Sequence, residues 1–290
     1  MNTARRAAHR PAVLLIGLML FALGGCGGGG GDDTAAAPPT PPPTPPASGR
    51  WTPTLNDTWQ WQLNGNVNTS YDASVYDIDL FDTPQATIDS LHAAGRKVVC
   101  YFSAGSGEDW RPDYAGFTAA DLGAALDGWA GVRWLDTRSA SVRNVMAARL
   151  DLAASKHCDG VEPDNVDGYA NASGFPLSAA TQLDYNRWLA AQAHARKLAV
   201  ALKNDLEQLG DLQGDFDFAV NEECFALNEC GTYASFIAVG KPVFNAEYAA
   251  RYQQNTNGAR TALCAAAEQA KIRTLVLAQQ LDDSYRYACP

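Results

Sequence analysis

The stretch from Ser178 to Asp205 reads SAATQLDYNRWLAAQAHARKLAVALKND and contains two patterns in direct succession. Its first part is rich in Ala, Leu and Gln, so we predict a helix over Ser178–Arg196. The second part, Leu198–Asn204, is a short and mainly apolar run, which is typical of a buried strand. A helix that leads directly into a buried strand is one unit of an α/β fold.

The same unit recurs on both sides of this stretch. We predict eight strands, at Trp59–Leu63, Val75–Phe81, Lys97–Ser103, Gly160–Val166, Leu198–Asn204, Phe216–Glu222, Pro242–Glu247 and Thr274–Gln280. The other predicted helices are Pro84–Ala94, Ala140–His157, one within 205–213, Thr232–Val239 and Ala259–Lys271. Eight such units predict an α/β fold of the (β/α)8 TIM-barrel type, as a single catalytic domain. A doubly wound open sheet is the alternative. Val132–Leu135 is expected to be loop or a short extra strand.

The first 49 residues differ in composition from the rest. A basic start leads into the apolar run Ala12–Leu23, which as a helix would be about 18 Å long, too short for a bilayer of about 30 Å. We therefore predict a lipoprotein signal peptide over 1–25. The run ends in Leu-Gly-Gly-Cys26, which resembles a bacterial lipobox, so we expect lipidation of Cys26. The Gly/Pro/Thr-rich segment 26–49 is predicted to be a disordered tether before a folded domain over 50–290.

These segments predict an exported protein, lipid-anchored to the bacterial cell envelope at the outer membrane or cell surface, or secreted if Cys26 is not lipidated. The formal charge of the whole chain is −10, and loss of Arg5, Arg6 and Arg10 with the leader would make it more negative. Nucleic-acid affinity comes mainly from Lys and Arg, so a nucleic-acid partner is not expected. A cationic partner fits the charge, although solubility alone would also explain it. We expect a monomer.

Six cysteines follow Cys26, and an even number in an exported chain indicates disulfides. Cys224 pairs most naturally with Cys230, because both lie in one short loop. The pairs Cys264 with Cys289 and Cys100 with Cys158 complete the predicted set.

Carboxylates and carboxamides follow nearly every predicted strand, at the end of a barrel where catalytic residues gather. The histidines of the predicted domain, His92, His157 and His194, lie instead near helix ends that lead into the next strand. A Ser-His-Asp triad or a histidine-ligated metal is therefore not expected, and no metal or other cofactor is predicted. Glycoside hydrolysis needs only two carboxyl groups, one to protonate the leaving oxygen and one to act as nucleophile or base.

Glu162 and Asp164 on the fourth strand and Glu222 on the sixth are the candidate catalytic carboxyl groups. Glu162 and Asp164 are two residues apart on one strand, so their side chains share a face and Asp164 lies nearer the opening. Glu222 ends the sixth strand and offers the second carboxyl group. Alternatively, these acids bind loops or pair with Lys203 and Arg138 as structural elements.

Aromatic residues at or just after the strands are a second indication of carbohydrate, because flat rings stack on sugar faces. This set consists of Trp59, Trp61, Tyr101, Trp110, Tyr169, Phe225, Tyr248 and Tyr285. Any one of them could equally be a core residue, so the set counts only as a whole.

Several motifs together resemble glycoside hydrolase family 114, the endo-α-1,4-polygalactosaminidase family. The most specific are EPDNVDGY at Glu162–Tyr169 and NEECF at Asn221–Phe225. Shorter matches are Trp59–Leu63, Cys100–Gly105, Trp134–Asp136 with Arg138, Leu202–Asn204 and Ala246–Tyr248. The resemblance covers essentially residues 51–290.

The resemblance implies a (β/α)8 barrel that cleaves internal α-1,4 bonds of a galactosamine-containing polysaccharide, a polymer whose free amines are cationic. The family's two carboxylates fall on Asp164 and Glu222, and Glu162 is a possible supporting carboxylate. The residues expected to hold substrate or orient the acids are Tyr101, Asp136, Lys203, Asn204, Glu247 and Tyr248. The alternative of a different class is a non-catalytic, polysaccharide-binding surface lipoprotein with the same fold.

Overall fold

A computed structural model describes residues 49–290 of the chain. The strands are β1 Trp59–Gln62, β2 Val75–Asp79, β3 Lys97–Ser103, β4 Ser106–Glu108, β5 Leu122–Ala125, β6 Val132–Leu135, β7 Gly160–Asp164, β8 Ala199–Lys203, β9 Phe218–Glu222, β10 Val243–Glu247, β11 Arg273–Leu277 and β12 Arg286–Ala288. The α-helices are α1 Gln85–Ala93, α2 Ala140–Ser155, α3 Ala179–Ala195, α4 Leu209–Leu212, α5 Ala234–Ala238, α6 Ala250–Gln253 and α7 Ala259–Ala270. The predicted signal peptide, Cys26 and nearly all of the predicted tether lie outside the described residues.

Eight strands pair in parallel in the order β1-β2-β3-β7-β8-β9-β10-β11, and β12 adds an antiparallel ninth. These eight are the eight predicted strands. The two ends of this sheet come together: Trp59 Nε1 donates to the carbonyl of Arg273 at 3.0 Å, and the Arg286 guanidinium binds Gln60 and the carbonyl of Trp59. The (β/α)8 barrel is thus confirmed, and the open-sheet alternative is wrong. The sequence did not predict β12, the short strand whose Arg286 bridges the two sheet ends.

Helix α3, which lies within Ser178–Asp205, shows how local sequence determines where a helix begins and where the next strand starts. Ser178 Oγ accepts from the backbone N–H of Thr181 at 3.3 Å, and Thr181 Oγ1 accepts from the backbone N–H of Ser178 at 2.9 Å. This reciprocal cap satisfies two backbone donors at the start of the helix. After Ala195 the chain turns through Lys197 with φ of +63° and enters β8. The side chain of Lys203 then falls at the carboxyl end of that strand.

Side chains alternate between the barrel interior and the helix layer. One buried cluster fills the interior and includes Trp59, Trp61, Val99, Phe218 and Phe244. A second cluster packs the outer face of the strands against the helices and includes Tyr76, Phe102, Leu150 and Leu189. Because successive strand residues point to opposite faces, residues two apart share the interior.

Several predicted boundaries were wrong by a few residues. β7 ends at Asp164 rather than Val166, because Asn165 adopts a φ of +59° that turns the chain out of the sheet. The region 205–213 holds only a short 3-10 turn and the one-turn helix α4. Val132–Leu135 is an extra strand, the centre of a second, three-stranded sheet β4-β6-β5. This insertion stands beside the mouth of the barrel, between β3 and α2.

All three predicted disulfides are present: Cys100–Cys158, Cys224–Cys230 and Cys264–Cys289. The first ties β3 to the residues before β7 and closes the longest loop, with a sequence separation of 58. The second disulfide closes a loop with a sequence separation of only 6, directly after β9, the strand that carries Glu222.

Removal of the Cys100–Cys158 bond by Cys100→Ala with Cys158→Ala is expected to lower the free energy of unfolding by about 4 kcal/mol. The same pair of changes at Cys224 and Cys230 should cost about 2 kcal/mol, because a shorter loop restricts the unfolded chain less. Urea denaturation of both double variants measures the difference. A greater loss from the short loop than from the long one would contradict this order.

His92 and His194 lie at the amino-terminal end of the barrel, away from the strand ends that carry the acids. His92 Nε2 contacts Asp159 at 2.9 Å and His194 Nε2 contacts Asp217 at 2.8 Å, directly before β7 and β9. Each aspartate also accepts a backbone N–H, from Val98 or Val200. Both histidines are therefore part of the structural base of the barrel. In the part of the chain that the structure describes, no helix has the length and apolarity to cross a membrane.

Candidate active site

A cleft of about 230 Å³ opens at the carboxyl ends of the barrel strands. Its floor includes Asp164 from β7, Lys203 from β8 and Glu222 from β9, and its side wall comes from the insertion sheet. The three strands are adjacent in the sheet, so residues predicted from separate sequence motifs meet in one place.

Lys203 is the centre of the site. Its Nζ donates to Glu162 Oε1 at 2.8 Å and lies 3.2 Å from Asp164 Oδ1 and 3.5 Å from Glu222 Oε2. The ammonium group also lies 4.7 Å from the ring centroid of Trp61. Burial alone would lower the pKa of Lys203, but the negative charges of the three acids raise it above its ordinary value. Lys203 is therefore a fixed cation beneath the two predicted catalytic groups.

Asp164 and Glu222 are close neighbours because both contact this one cation. The two Lys203 distances limit the gap between Asp164 Oδ1 and Glu222 Oε2 to about 6.7 Å. Both side chains keep access to the cleft, with 18% of Asp164 and 33% of Glu222 exposed. The structure thus brings the two predicted catalytic residues together at the base of the cleft.

Two tyrosines hold the outer oxygens of this pair. Tyr101 OH donates to Asp164 Oδ2 at 3.0 Å, and Tyr248 OH donates to Glu222 Oε1 at 2.6 Å. Burial and the adjacent carboxylate charges raise the pKa of both phenols, so each remains a neutral donor. Asp164 Oδ1 also accepts the backbone N–H of Asn165 at 2.7 Å. Both tyrosines orient the acids, one of the roles predicted for them.

Glu162 lies one layer deeper, fully buried, as its place on β7 predicts. Burial raises the pKa of Glu162 to about 7, against the opposing effect of Lys203. It has no access to substrate, and its visible function is to hold Lys203.

Asn204 and Glu247 orient the chain around the site. Asn204 Oδ1 accepts a hydrogen bond from the backbone N–H of Glu222 at 3.1 Å and so fixes the end of β9. Asn204 also lines the cleft. Glu247 is fully buried, and its Oε1 accepts the backbone N–H of Phe225 at 2.8 Å. Burial raises the pKa of Glu247 to about 7. Glu247 therefore braces the loop after β9 rather than contacting sugar.

Asp136 does not join the site. Its carboxylate pairs with Arg138 at 2.8 Å directly after β6, and it is not among the described residues that line the cleft. Asp136 directly follows Val132–Leu135, which was expected to be loop or a short extra strand, and that strand belongs to the insertion and not to the barrel.

Some of the acids near the mouth of the barrel are already paired with an arginine. The buried guanidinium of Arg111 binds Asp79 at the end of β2, Asp82 just after it and Glu108 at the end of β4. This arginine is stacked at 4.8 Å over the ring of Phe81. The acids bound to it support the loops at the mouth and are less available to a cationic ligand.

A glycine brings the loops after β3 and β7 into contact. A Cβ atom at Gly105 would lie 1.7 Å from the carbonyl oxygen of Asn165, so any side chain would push the two loops apart. The close approach lets Asn165 Nδ2 donate to Ser103 Oγ at 3.0 Å. Asp164 is held at the end of β7 by this packing.

Three residues near the cleft were missed by the sequence reasoning. Trp129 and Asp127 line the cleft from the insertion, a region treated as loop. Asp77 lies inside the barrel on β2 and is 1% exposed. The alternation of side chains along β2 could have predicted the position of Asp77. Residues two apart share a face, so Val75, Asp77 and Asp79 all point into the barrel.

A (β/α)8 barrel with two adjacent carboxylates at the carboxyl ends of its strands has the site of a carboxylate-dependent glycoside hydrolase. Within residues 49–290, no group of three or more His, Cys, Asp or Glu side chains is placed to hold a metal ion. The fold and the site together define the class.

The profile of glycoside-hydrolase family GH114 matches residues 40–290, and the chain belongs to this family. It is therefore a glycosidase that hydrolyses O-glycosyl bonds. The crystal structure of Aspergillus fumigatus Ega3 in complex with galactosamine is similar, with 42% sequence identity and a TM-score of 0.79. That match covers 84% of this chain and 99% of Ega3.

The glycoside hydrolase domain of PelA from Pseudomonas aeruginosa has the same fold, with a TM-score of 0.60 and 16% identity. This match covers 78% of the present chain and 95% of the PelA domain. A comparison with curated proteins found no match.

Proposed function

We propose that this glycosidase cleaves internal α-1,4 bonds of a galactosamine-containing polysaccharide, with Asp164 and Glu222 as its two catalytic groups. The observation that carries the proposal is the carboxylate pair over Lys203 at the base of an open cleft. The galactosamine bound to the 42% identical Ega3 supports the substrate class.

Asp164 is the nucleophile in this proposal and Glu222 the general acid and base. Asp164 meets three donors, from Tyr101, Lys203 and the Asn165 backbone, which hold its carboxyl group in one orientation at the base of the cleft. Glu222 is more exposed and lies further from Lys203. It is thus the better placed of the two to exchange a proton with the glycosidic oxygen and then with water.

The reaction then runs in two displacements. Asp164 attacks the anomeric carbon while Glu222 gives its proton to the departing oxygen, which leaves a glycosyl ester on Asp164. Glu222 next takes a proton from water, the water oxygen bonds to the anomeric carbon, and the ester bond to Asp164 breaks. The net change is hydrolysis of one glycosidic bond with retained configuration.

The first product is accordingly expected to be the α-anomer. Retaining glycosidases place their carboxyl groups about 5–5.5 Å apart and inverting ones about 6.5–9.5 Å apart, and the upper limit set by Lys203 admits the retaining separation that this mechanism needs. Proton NMR of a galactosamine oligomer digest, recorded before mutarotation, distinguishes the two. Initial appearance of the β-anomer would exclude Asp164 as nucleophile.

The cleft suits a cationic polymer. Asp127 and Asp167 line it beside the catalytic pair, where their carboxylates can meet the ammonium groups of galactosamine units. On the wall formed by the insertion, Trp110 is 52% exposed and Trp129 42% exposed, an unusual exposure for rings of this size. Two partly exposed indole side chains in the same cleft as the catalytic groups are suited to contact sugar units of the bound polymer.

The Trp110→Ala variant is expected to lose about 3- to 10-fold in kcat/KM on long oligomers, the effect of one lost aromatic contact. On the shortest cleavable oligomer the loss should be smaller, because fewer units reach the insertion. Trp110→Phe, which keeps a ring, is the matched control and should stay near the unmodified protein. Equal losses on short and long substrates would show that Trp110 is not a subsite.

The release of reducing ends from a partly deacetylated α-1,4 galactosamine polymer tests the proposed activity. Steady release indicates the hydrolase. Binding of the polymer in a sedimentation assay without release would instead support a polysaccharide-binding lipoprotein of the same fold.

We also propose that the protein acts as a monomer held at the cell envelope by a lipid on Cys26. The Leu-Gly-Gly-Cys26 sequence and the Gly/Pro/Thr-rich segment after it support this location. Metabolic labelling with a palmitate analogue should mark the protein and not a Cys26→Ser variant. Equal labelling of both would refute the anchor.

A further inference from the structure

Asp77 is a buried acid that the proposed reaction does not use. It lies on β2 and Glu162 lies on β7, the two strands that flank β3, and both side chains point into the barrel. Within residues 49–290 neither oxygen of Asp77, nor Oε2 of Glu162, meets an N–H or O–H donor. The two carboxyl groups instead face each other at hydrogen-bonding range.

Two ionised carboxylates cannot share a buried contact of this kind, so one of them carries a proton. Glu162 Oε1 receives the ammonium group of Lys203 at 2.8 Å, which stabilises its anion. Asp77 has no such contact, and burial followed by the charge of Glu162 raises its pKa well above the ordinary value. The proton therefore belongs to Asp77.

The charges of the interior agree with this assignment. The charged groups that act on Asp77 are Glu162 and Asp164 on β7 and Lys203 on β8. Three carboxyl groups, those of Glu162, Asp164 and Glu222, already lie around the single ammonium group of Lys203. A neutral Asp77 removes one negative charge from a region where water cannot screen it.

We propose that Asp77 is a permanently protonated positioning residue, which donates a hydrogen bond to Glu162 Oε2 and so keeps Glu162 ionised beneath Lys203. Through Lys203 it fixes the catalytic carboxylates, although it touches neither substrate nor the reacting atoms. The link to catalysis rests on the proposed function, whereas the protonation of Asp77 does not.

The experiment compares Asp77→Asn with Asp77→Leu. Asn keeps a hydrogen-bond donor in the same shape and is neutral like the protonated acid, so kcat and its pH profile should change less than about twofold. Leu fills the space without a donor, so Glu162 should bind a proton more readily. The acid limb of kcat should then move up by about one pH unit and kcat at pH 6 should fall about tenfold, with little change in KM.

A measurement without substrate keeps the proposal testable if Asp77→Leu does not fold or the polymer proves to be a different one. Infrared spectra of the protein labelled with ¹³C in its aspartate carboxyls should show a protonated carboxyl band at pH 8. Asp77→Asn should remove part of that band. The remaining part belongs to Asp205, a buried acid whose pKa burial raises to about 8.

Two results would overturn the proposal. One is a carboxyl band that Asp77→Asn leaves unchanged, which would mean that Asp77 is ionised. The other is a folded Asp77→Asn protein with a kcat at least tenfold lower, or a folded Asp77→Leu protein with an unaltered pH profile. Failure of the unmodified protein to cleave the polymer, with the band assigned to Asp77, would refute the substrate and leave the protonation intact.

Discussion

Asp164→Asn is expected to lower kcat by about 10⁴-fold or more, because an amide cannot form the covalent bond to the anomeric carbon. Glu222→Gln should lose about 10²- to 10⁴-fold, the contribution of a positioned general acid and base. Both changes nearly preserve side-chain shape, so the thermal unfolding temperature should stay within a few degrees. Initial rates of reducing-end release, with calorimetry of each variant, give the two quantities.

Matched controls lie far from the cleft. Asp215→Asn removes a partly exposed acid paired with Arg187, and Glu268→Gln changes an exposed position on α7. Both should retain full activity. Near-normal turnover by either catalytic variant would contradict the assignment of Asp164 and Glu222.

Reaction of alanine variants with azide distinguishes the nucleophile from the general acid and base. In Asp164→Ala the small anion can enter from the vacated face and give a β-glycosyl azide from an α-linked substrate. In Glu222→Ala it can displace the glycosyl ester from Asp164 and give the α-azide. The opposite pair of products would exchange the roles of nucleophile and acid.

Lys203→Met is expected to have the second largest effect, on stability as well as activity. The variant leaves Glu162 buried without its cation and removes the contact that draws Asp164 and Glu222 together. Loss of one partner from a buried ion pair costs about 3–5 kcal/mol of unfolding free energy. The catalytic rate should also fall by at least about 10²-fold, because the positions of both carboxylates change.

The stability loss in Lys203→Met should depend on pH in a defined direction. Without the ammonium group, the pKa of Glu162 in the folded protein rises further above its value in the unfolded chain. A raised folded pKa gives stability that is complete below the unfolded pKa and is lost as pH rises through the folded one. The deficit relative to the unmodified protein should therefore be larger at pH 8 than at pH 5.

Urea denaturation at the two pH values measures this difference. Lys271→Met, at an exposed position after α7, is the control and should have little effect at either pH. A deficit that is equal at pH 5 and pH 8 would show that Glu162 does not titrate against Lys203.

The barrel and the meeting of Asp164 and Glu222 at its mouth could be predicted because both follow from local patterns. Strand and helix alternation gives the eight units, and strand ends in a parallel barrel meet at one opening. Strand ends were enough to bring Asp164 and Glu222 to one opening, whereas the choice of these two among the acids came from the family motifs. The disulfide Cys224–Cys230 was equally local, since both residues lie in one loop.

Pairing between distant loops could not be predicted in the same way. Asp136 directly follows a strand, but this strand belongs to the insertion sheet, and nothing in the sequence around it distinguishes that sheet from the barrel. Glu247 ends a barrel strand, yet its carboxylate turns to the backbone of Phe225. The partners of Arg111 come from three separate segments and become neighbours only in the folded chain.

Mass analysis of products from defined α-1,4 galactosamine oligomers, digested in ¹⁸O-labelled water, tests the central claim most directly. An endo-acting hydrolase should convert a long oligomer into several shorter ones, each with one ¹⁸O atom at a new reducing end, and Asp164→Asn should give none. Unchanged oligomers, or release of single sugars from one end, would contradict the account.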